Sequence, residues 1–374
     1  MTMTIGRPSL TDYERNGIDR KFDLGAGYAR QGPDRAQQRI IDSLPMLYAR
    51  SMRMRQTDVE ATFQRLFYGL AGQFSATHRK ALMCYSASQA IELAAMSLAK
   101  TGRTVGLLQP SFDVLAASLR RQGVPLVPVA EENATEPEGL GALFLTLPNN
   151  PTGFTLGRSE FEKLVRRCAE NDVVLIVDWT FRFYAGQPFW DQYEVLDDSG
   201  VTYMCIEDTG KTWSMRDLKC GILASSPDLF DELAELHGEM LLNVSPFTLS
   251  LLSAYLADSS LRGLDTTVTR LIRANRAALR EALADTILVP GDAGRTVSVE
   301  WVRVDSDELT GGDIADLLGH ADVTILPGDQ FYWHDTRLGS PYVRIALARD
   351  PVVFAEAARR IADALPQRPG REAS

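Results

Sequence analysis

Cysteine is scarce in this chain. Four occur among 374 residues, Cys84, Cys168, Cys205 and Cys220, none in a C-x-x-C pair and all in apolar surroundings. That pattern speaks against a zinc site or a disulfide framework, and buried free thiols are expected. Histidine is as thin: His78, His237, His320 and His334 are scattered, with no H-x-x-x-H pair, so no metal centre is expected. Long apolar runs are missing, none approaching the ~18 residues that cross a bilayer. The opening MTMTIGRPSLTDYERNG lacks a basic-then-apolar leader, and a cytoplasmic protein is expected. Positive charge is not in surplus either. The formal net charge is −10, whereas nucleic-acid binding relies on clustered Lys and Arg. There is no internal repeat, and low complexity is confined to the polar tail PQRPGREAS (366–374), expected to be mobile.

What is present is a rhythm. From about residue 80, helix-like and strand-like segments alternate. ASQAIELAAMSLAKTG (87–102) has helical spacing and stops at glycine. TVGLLQP reads as a strand, SFDVLAASLRRQG as an amphipathic helix, and PLVPVA and GALFLTLP as strands. Ser159 and Glu162 are spaced as a capping box for the helix that follows. DVVLIVDW (172–179) is a continuous apolar run of the kind buried on both faces, and VTYMCIEDTG and CGILASS are further strands. The class is α/β with a mainly parallel sheet, which binds ligands beyond the carboxyl ends of its strands. After about residue 260 the texture changes to a long helix, the half-exposed strand TVSVEWVRVD, the strands DVTILPG and YVRIALA, and a last helix. The expected division is an arm over 1–45 that covers a cleft or the smaller domain, a large domain over 46–260, and a smaller α+β domain over 261–374.

Polar residues collect where strands should end. Lys211 and Lys219 follow VTYMCIED, Asp178 closes VVLIVD, Asn149 and Asn150 follow LFLTLP, Phe112 sits in PSFD, and CYSAS (84–88) stands where a strand should turn into a helix. Together they meet the needs of a pyridine-ring aldehyde cofactor, pyridoxal 5′-phosphate. Lys211 offers an amine for covalent attachment and proton transfer. Asp178 can hold the ring nitrogen protonated, and Asn150 can reach the phenolic oxygen. Ser86, Ala87 and Ser88 offer hydroxyls and backbone N–H groups to the phosphate, with Lys219 as a cation. Phe112 is a candidate stacking ring.

The ordered set resembles a fold-type I pyridoxal-phosphate enzyme of the class I/II aminotransferase group: a Ser-rich turn, an aromatic after Pro110, NPTG at 150–153, Asp178, Lys211, Lys219, and Arg344 in YVRIALA. The resemblance implies a large domain with a mainly parallel seven-stranded sheet, a smaller α+β domain, a homodimer, and Arg344 as the grip on the substrate α-carboxylate, where a bidentate fork suits the geometry.

Three departures narrow it. Phe181 stands where such enzymes usually have a tyrosine, with Thr180 as a substitute hydroxyl. Lys219 replaces an arginine, and Asp208 replaces a serine. These, with LTDYE (10–14), GAGYARQ (25–31), the DLK run before Gly221 and DQFYW (329–333), resemble the pyridoxal-phosphate- and O2-dependent L-arginine oxidases and hydroxylases of bacterial natural-product pathways. That resemblance implies an oxidase of L-arginine or a similar basic amino acid in secondary metabolism, giving a 2-oxo acid. Glu14, Asp208, Thr11 and Tyr28 would join Arg344 at the substrate, carboxylates being what a planar, permanently charged guanidinium wants. Ala26 stands where the group has an aspartate and Tyr28 where it has a histidine. A phenol is a poorer acid–base at neutral pH, so oxidation or desaturation gains weight over hydroxylation at carbon 4. A conventional aminotransferase for a basic amino acid and a non-catalytic binding module that kept the fold are the alternatives. Phe331 and Trp333 could each line the pocket or pack the small domain.

Overall fold

The computed structural model describes residues 8–367 except 187–188, 216–217 and 293. The first seven residues of the arm, Asp217 of the DLK run and most of the tail expected to be mobile lie outside the described residues. The arm opens with a helix, Leu10–Gly17, capped reciprocally by Ser9 and Asp12, a pairing that satisfies two orphan N–H groups at a helix start. Strand β1 (Phe22–Asp23) follows.

The large sheet comprises β2 (Ala81–Cys84), β3 (Val105–Gln109), β4 (Leu126–Ala130), β5 (Ala142–Thr146), β6 (Val174–Asp178), β7 (Tyr203–Asp208) and β8 (Gly221–Ser225). Their order is β2-β8-β7-β6-β5-β3-β4. β3 to β7 run parallel, and β8 is antiparallel to both neighbours. Alternation explains why the central strands are apolar throughout. Leu143, Leu145, Leu175, Val177 and Cys205 face a core with Phe161 and Leu164. Ala142, Phe144, Ile176, Met204 and Ile206 face a second core with Ala90, Leu93 and Leu115. Each fully buried Phe or Leu contributes about 1.5–3 kcal/mol. All four cysteines are buried, free thiols within these layers.

The helix Arg158–Glu170 starts two residues earlier than the Ser159–Glu162 spacing predicts. Gly157 is its extended N-cap, and the Gly157 N–H donates to Glu160 Oε2 at 2.9 Å. Glu162 instead pairs with Arg158 at 2.7 Å. With glutamates at both 160 and 162, the backbone of Gly157 chooses the register.

The second sheet orders β9 (Leu288–Pro290), β10 (Val299–Val304), β12 (Leu326–Pro327) and β13 (Tyr342–Ala346) as β12-β13-β10-β9, with antiparallel pairing. DVTILPG, expected as one strand, is divided: β11 (Val323–Thr324) pairs in parallel with β1 of the arm, and β12 pairs with β13. Pro327 lacks the N–H needed to continue the ladder. Among the described residues no helix is long and apolar enough to cross a membrane.

The topology fixes where a ligand can sit. From β3 the chain passes to β4 on one side, while β5 lies on the other. Loops leaving the carboxyl ends of β3 and β5 therefore part around a crevice.

Candidate active site

Strand ends bring the catalytic candidates together. Asp178, the last residue of β6, is buried, and its Oδ1 accepts from the Thr180 N–H at 2.9 Å. Its register partner on β5 is Thr146, a buried hydroxyl with no hydrogen-bond partner. Lys211 lies three residues past β7, and its carbonyl accepts from the Tyr184 hydroxyl at 2.8 Å. Asn149 Nδ2 donates to the Pro110 carbonyl at 2.7 Å, tying the loop that carries Asn150 to the loop that carries Phe112. Lys211, Asp178, Thr180, Asn150, Phe112, Ala87 and Ser88 line one cavity with Thr146 and Phe181. Ser86 is the extended N-cap of helix Ala87–Thr101, and its hydroxyl makes no capping bond. Gly221 allows this helix start to approach β8, since a Cβ there would lie 2.6 Å from the Ser86 carbonyl carbon.

The arm enters the same site. Glu14 Oε1 accepts from the Gly27 N–H at 3.2 Å and lies 3.5 Å from Arg344 Nη2. Arg344 is wholly buried. It donates to the Gly25 carbonyl, approaches Asn150 Oδ1 at 3.4 Å, and leaves its Nε without a partner. Its guanidinium lies 6.0 Å from the Phe112 ring centre and 5.7 Å from that of Phe331. Thr11 sits one turn before Glu14 on the same half-buried helix face. The Leu10 N–H donates to Asp113 Oδ2 at 2.8 Å, fixing the helix beside Phe112. Tyr28 faces both lysines, with Lys211 Nζ 4.3 Å and Lys219 Nζ 5.1 Å from its ring centre, a favourable placement of cations on a π face. Phe331 packs on Phe112 in this corner, whereas Trp333 belongs to the core under the sheet and donates to the Leu108 carbonyl at 3.2 Å.

Electrostatics sort these groups. Burial lifts the Asp178 carboxyl to about 6; Thr180 opposes the lift, and the Asp208 and Glu207 charges add to it. Burial holds the Lys211 amine below its ordinary value, opposed by Glu14 and Asp208 and reinforced by Lys219 and Arg344. Asp208, expected at the substrate, has both carboxylate oxygens engaged by backbone N–H groups. Its Oδ2 accepts from the Ala87 N–H at 2.7 Å and its Oδ1 from the Gly210 N–H, so it occupies the N-terminus of helix Ala87–Thr101. Burial raises its carboxyl, against the Ala87 N–H, Lys211, the Gly210 N–H and Lys219.

The residues present fit pyridoxal 5′-phosphate. Asp178 is a buried carboxylate with no cation paired to it among the described residues, which a protonated ring nitrogen would satisfy. The Thr146 hydroxyl is a buried polar atom left open in the same cavity. An amine with a lowered proton affinity stands across from that carboxylate. On a seven-stranded α/β sheet, this is the arrangement of a fold-type I pyridoxal-phosphate-dependent enzyme. The chain belongs to the aminotransferase class I and II family, whose profile matches residues 20–361, and its cofactor is pyridoxal 5′-phosphate.

Among solved structures, the chain is similar to MppP soaked with the product 2-ketoarginine, at 33% identity over 91% of this chain and 99% of that one, with a TM-score of 0.86. LysN, the α-aminoadipate aminotransferase of Thermus thermophilus, shares the fold at 18% identity over 96% of this chain and 95% of that one, with a TM-score of 0.79. Among curated proteins, histidinol-phosphate aminotransferase of Chromobacterium violaceum is 28% identical over 52% of this chain and 54% of its own length. LL-diaminopimelate aminotransferase of Phocaeicola vulgatus is 29% identical over 32% of this chain and 30% of its own length. The chain thus spans about half or less of the length of these curated relatives.

Sequence reasoning missed the groups that hold the site from behind. Arg349 is buried and donates to the carbonyls of Asp23 at 2.6 Å, Ala26 at 2.5 Å and Tyr28 at 2.7 Å, clamping the arm loop against the last strand. Asp23 accepts from the N–H groups of Gly25 and Ala26 and pairs with Arg30 at 2.7 Å. Arg182 and Glu207 form a buried pair at 2.6 Å, with the Tyr193 hydroxyl donating to Glu207 at 3.1 Å. The charge at Glu207, beside Asp208 at the end of an apolar strand run, was a legible signal; for Arg349, one arginine of many, there was none.

Proposed function

We propose that this enzyme is a pyridoxal-phosphate- and O2-dependent oxidase of a basic amino acid, with L-arginine as the leading substrate, acting as a homodimer in secondary metabolism. The observation that carries the reading is the Glu14–Arg344 pair at 3.5 Å beside Lys211. A substrate with one carboxylate and a second positive group can take over both partners, the carboxylate on Arg344 and the cation on Glu14. A neutral amino acid would leave the half-buried Glu14 with the Gly27 N–H but no cation, a cost of about 1–3 kcal/mol for a charged group. The likeness to MppP with 2-ketoarginine supports the same substrate class.

The cofactor, when bound, supplies the electron sink that makes the substrate α-proton acidic. The chain's own residues do the rest. Asp178 keeps the ring nitrogen protonated. Lys211, whose amine is held below its ordinary value by burial, takes the α-proton. Arg344 orients the carboxylate through a fork with its Nε still open. Phe112 and Asn150 bound the cavity, and the arm helix with Glu14 excludes water. Overall, two electrons pass from the α-carbon to O2, and water replaces the amine to leave a 2-oxo acid and ammonium. Tyr28 in place of a histidine favours oxidation or desaturation over hydroxylation. The residue roles go with a division into arm (1–45), large domain (46–260) and small domain (261–374).

Incubation with L-arginine under air, without a keto-acid acceptor, is expected to consume O2 and release ammonia. No O2 uptake, with turnover restored by 2-oxoglutarate, would establish instead a conventional aminotransferase, the reading favoured by the curated relatives. A binding module is tested by the cofactor band near ~420 nm, which borohydride should quench and Lys211→Ala should abolish.

A further inference from the structure

The ladder between β6 and β7 ends before the residues that need fixing most. The two strands pair as far as Asp178 and Ile206, and Lys211 lies beyond that last pair. A main-chain carbonyl there has no strand partner and must find another donor. A side chain supplies it. Tyr184 closes the short turn Arg182–Tyr184 that follows Asp178, and its hydroxyl donates to the Lys211 carbonyl at 2.8 Å. The ring is 1% exposed. Burial holds the phenol far above its ordinary value, with the Ser298 side chain opposing, so the hydroxyl keeps its proton and acts as a donor throughout the neutral range. Tyr184 is itself held from the second sheet. The Thr296 hydroxyl, just before β10, donates to the Tyr184 carbonyl. The start of β10 is fixed in turn by Arg276, which donates to the Val299 carbonyl at 3.1 Å and pairs with Glu300 at 2.7 Å.

We propose that Tyr184 is a positioning residue for Lys211: its hydroxyl ties the lysine main chain to the turn that carries Asp178, and Thr296 ties that turn to the second sheet. The inference rests on the reading of Lys211 as the amine that holds the cofactor. Tyr184 stands behind the cavity, whose lining includes Phe181 and Lys211 but not the tyrosine, so it acts through Lys211 rather than on the reacting atoms. The lysine amine ends a flexible four-carbon stem. With the main chain pinned, only the stem moves, and the distance from amine to Asp178 stays within a narrow range. Misplacing a reacting group by about 1 Å can cost about 10²-fold in rate. One hydrogen bond at the base of the stem therefore bears on the chemistry out of proportion to its effect on folding.

Tyr184→Phe keeps the ring and removes the donor. Full-length enzyme freed of cofactor is mixed with pyridoxal phosphate, and the rise of the borohydride-quenched band near ~420 nm is followed by stopped flow. Tyr184→Phe should slow that rise about tenfold and shift the pH at which the band is half formed. Its kcat, with L-arginine under air or with 2-oxoglutarate added, should fall about 10–100-fold while KM changes less than about twofold. Thr296→Val should move each quantity in the same direction by a smaller factor, and Thr296→Ser, which keeps the hydroxyl, should match wild type. A Tyr184→Phe enzyme that melts at a lower temperature yet forms the band and turns over as wild type does would overturn the proposal, since a purely structural tyrosine behaves that way. Wild-type kinetics in Thr296→Val would overturn it too, and this variant decides alone if Tyr184→Phe does not fold. A wild type that forms no such band would remove the reading of Lys211 and the proposal with it. A band in wild type with unaffected variants would remove the proposal only, leaving the O2 assay to judge the oxidase reading.

Discussion

Asp178→Asn separates the folding cost of this site from its chemistry. Burial lifts the Asp178 carboxyl from an ordinary 3.8 to about 6, a difference of about 3 kcal/mol. A carboxyl with a raised native value favours its protonated form. Below 3.8 the folded and unfolded chains both hold the proton and there is no penalty. As the pH rises through about 6 the cofactor-free native state must carry the charge in an apolar site, and the penalty then stands in full. Asparagine keeps the oxygen that accepts the Thr180 N–H and carries no charge. The cofactor-free variant is therefore expected to be more stable than the cofactor-free wild type by up to about 3 kcal/mol at neutral pH, the gap closing toward pH ~4. The cofactor reverses the comparison: a cationic ring nitrogen relieves the penalty in wild type and has nothing to relieve in the variant. Saturating pyridoxal phosphate should stabilise the variant less, and kcat should fall roughly 10²–10³-fold. Urea unfolding across a pH series, with and without cofactor, measures the stability gap, and steady-state turnover measures kcat. A cofactor-free variant no more stable than wild type at neutral pH, or a gap that persists at pH ~4, would refute the view of Asp178 as a buried acid awaiting a cation.

Glu207→Ala leaves Arg182 buried and unpaired, and should cost about 3–5 kcal/mol; loss of less than ~1 kcal/mol in urea unfolding would contradict this. Arg349→Met keeps the stem but strips the donors from the carbonyls of Asp23, Ala26 and Tyr28. At about 1–3 kcal/mol per orphaned acceptor, the arm should loosen, seen as faster limited proteolysis within residues 8–35 and a KM that rises more than kcat falls. Glu14→Gln retains an acceptor for the Gly27 N–H but loses its charge. It should raise KM for L-arginine about 10-fold or more while improving relative use of neutral amino acids; an unchanged ratio would remove Glu14 from substrate selection.

The legible part of this protein was the part that repeats. Alternating apolar runs and glycine stops specified the β-α rhythm, because strands buried on both faces must be apolar along their length. The order of Lys211, Asp178, Asn150 and Arg344 pointed to the cofactor, because each chemical requirement admits few residue types. Position was harder to read where the donor was backbone. Gly157 rather than Ser159 starts a helix, and DVTILPG splits between two sheets because different partners claim its two ends.

Sequence by itself determined the α/β class and the pyridoxal-phosphate cofactor, and it singled out the amine and the acid that the fold brings into one cavity. Tertiary structure alone decided that Arg349 clamps the arm and that Asp208 sits on a helix N-terminus, and it made the expected neighbours Glu14 and Arg344 a direct pair. The physical reason is range. Periodicity and residue chemistry are local properties, whereas these three contacts join segments 121 to 330 residues apart, and only a folded chain brings such charges within hydrogen-bonding distance.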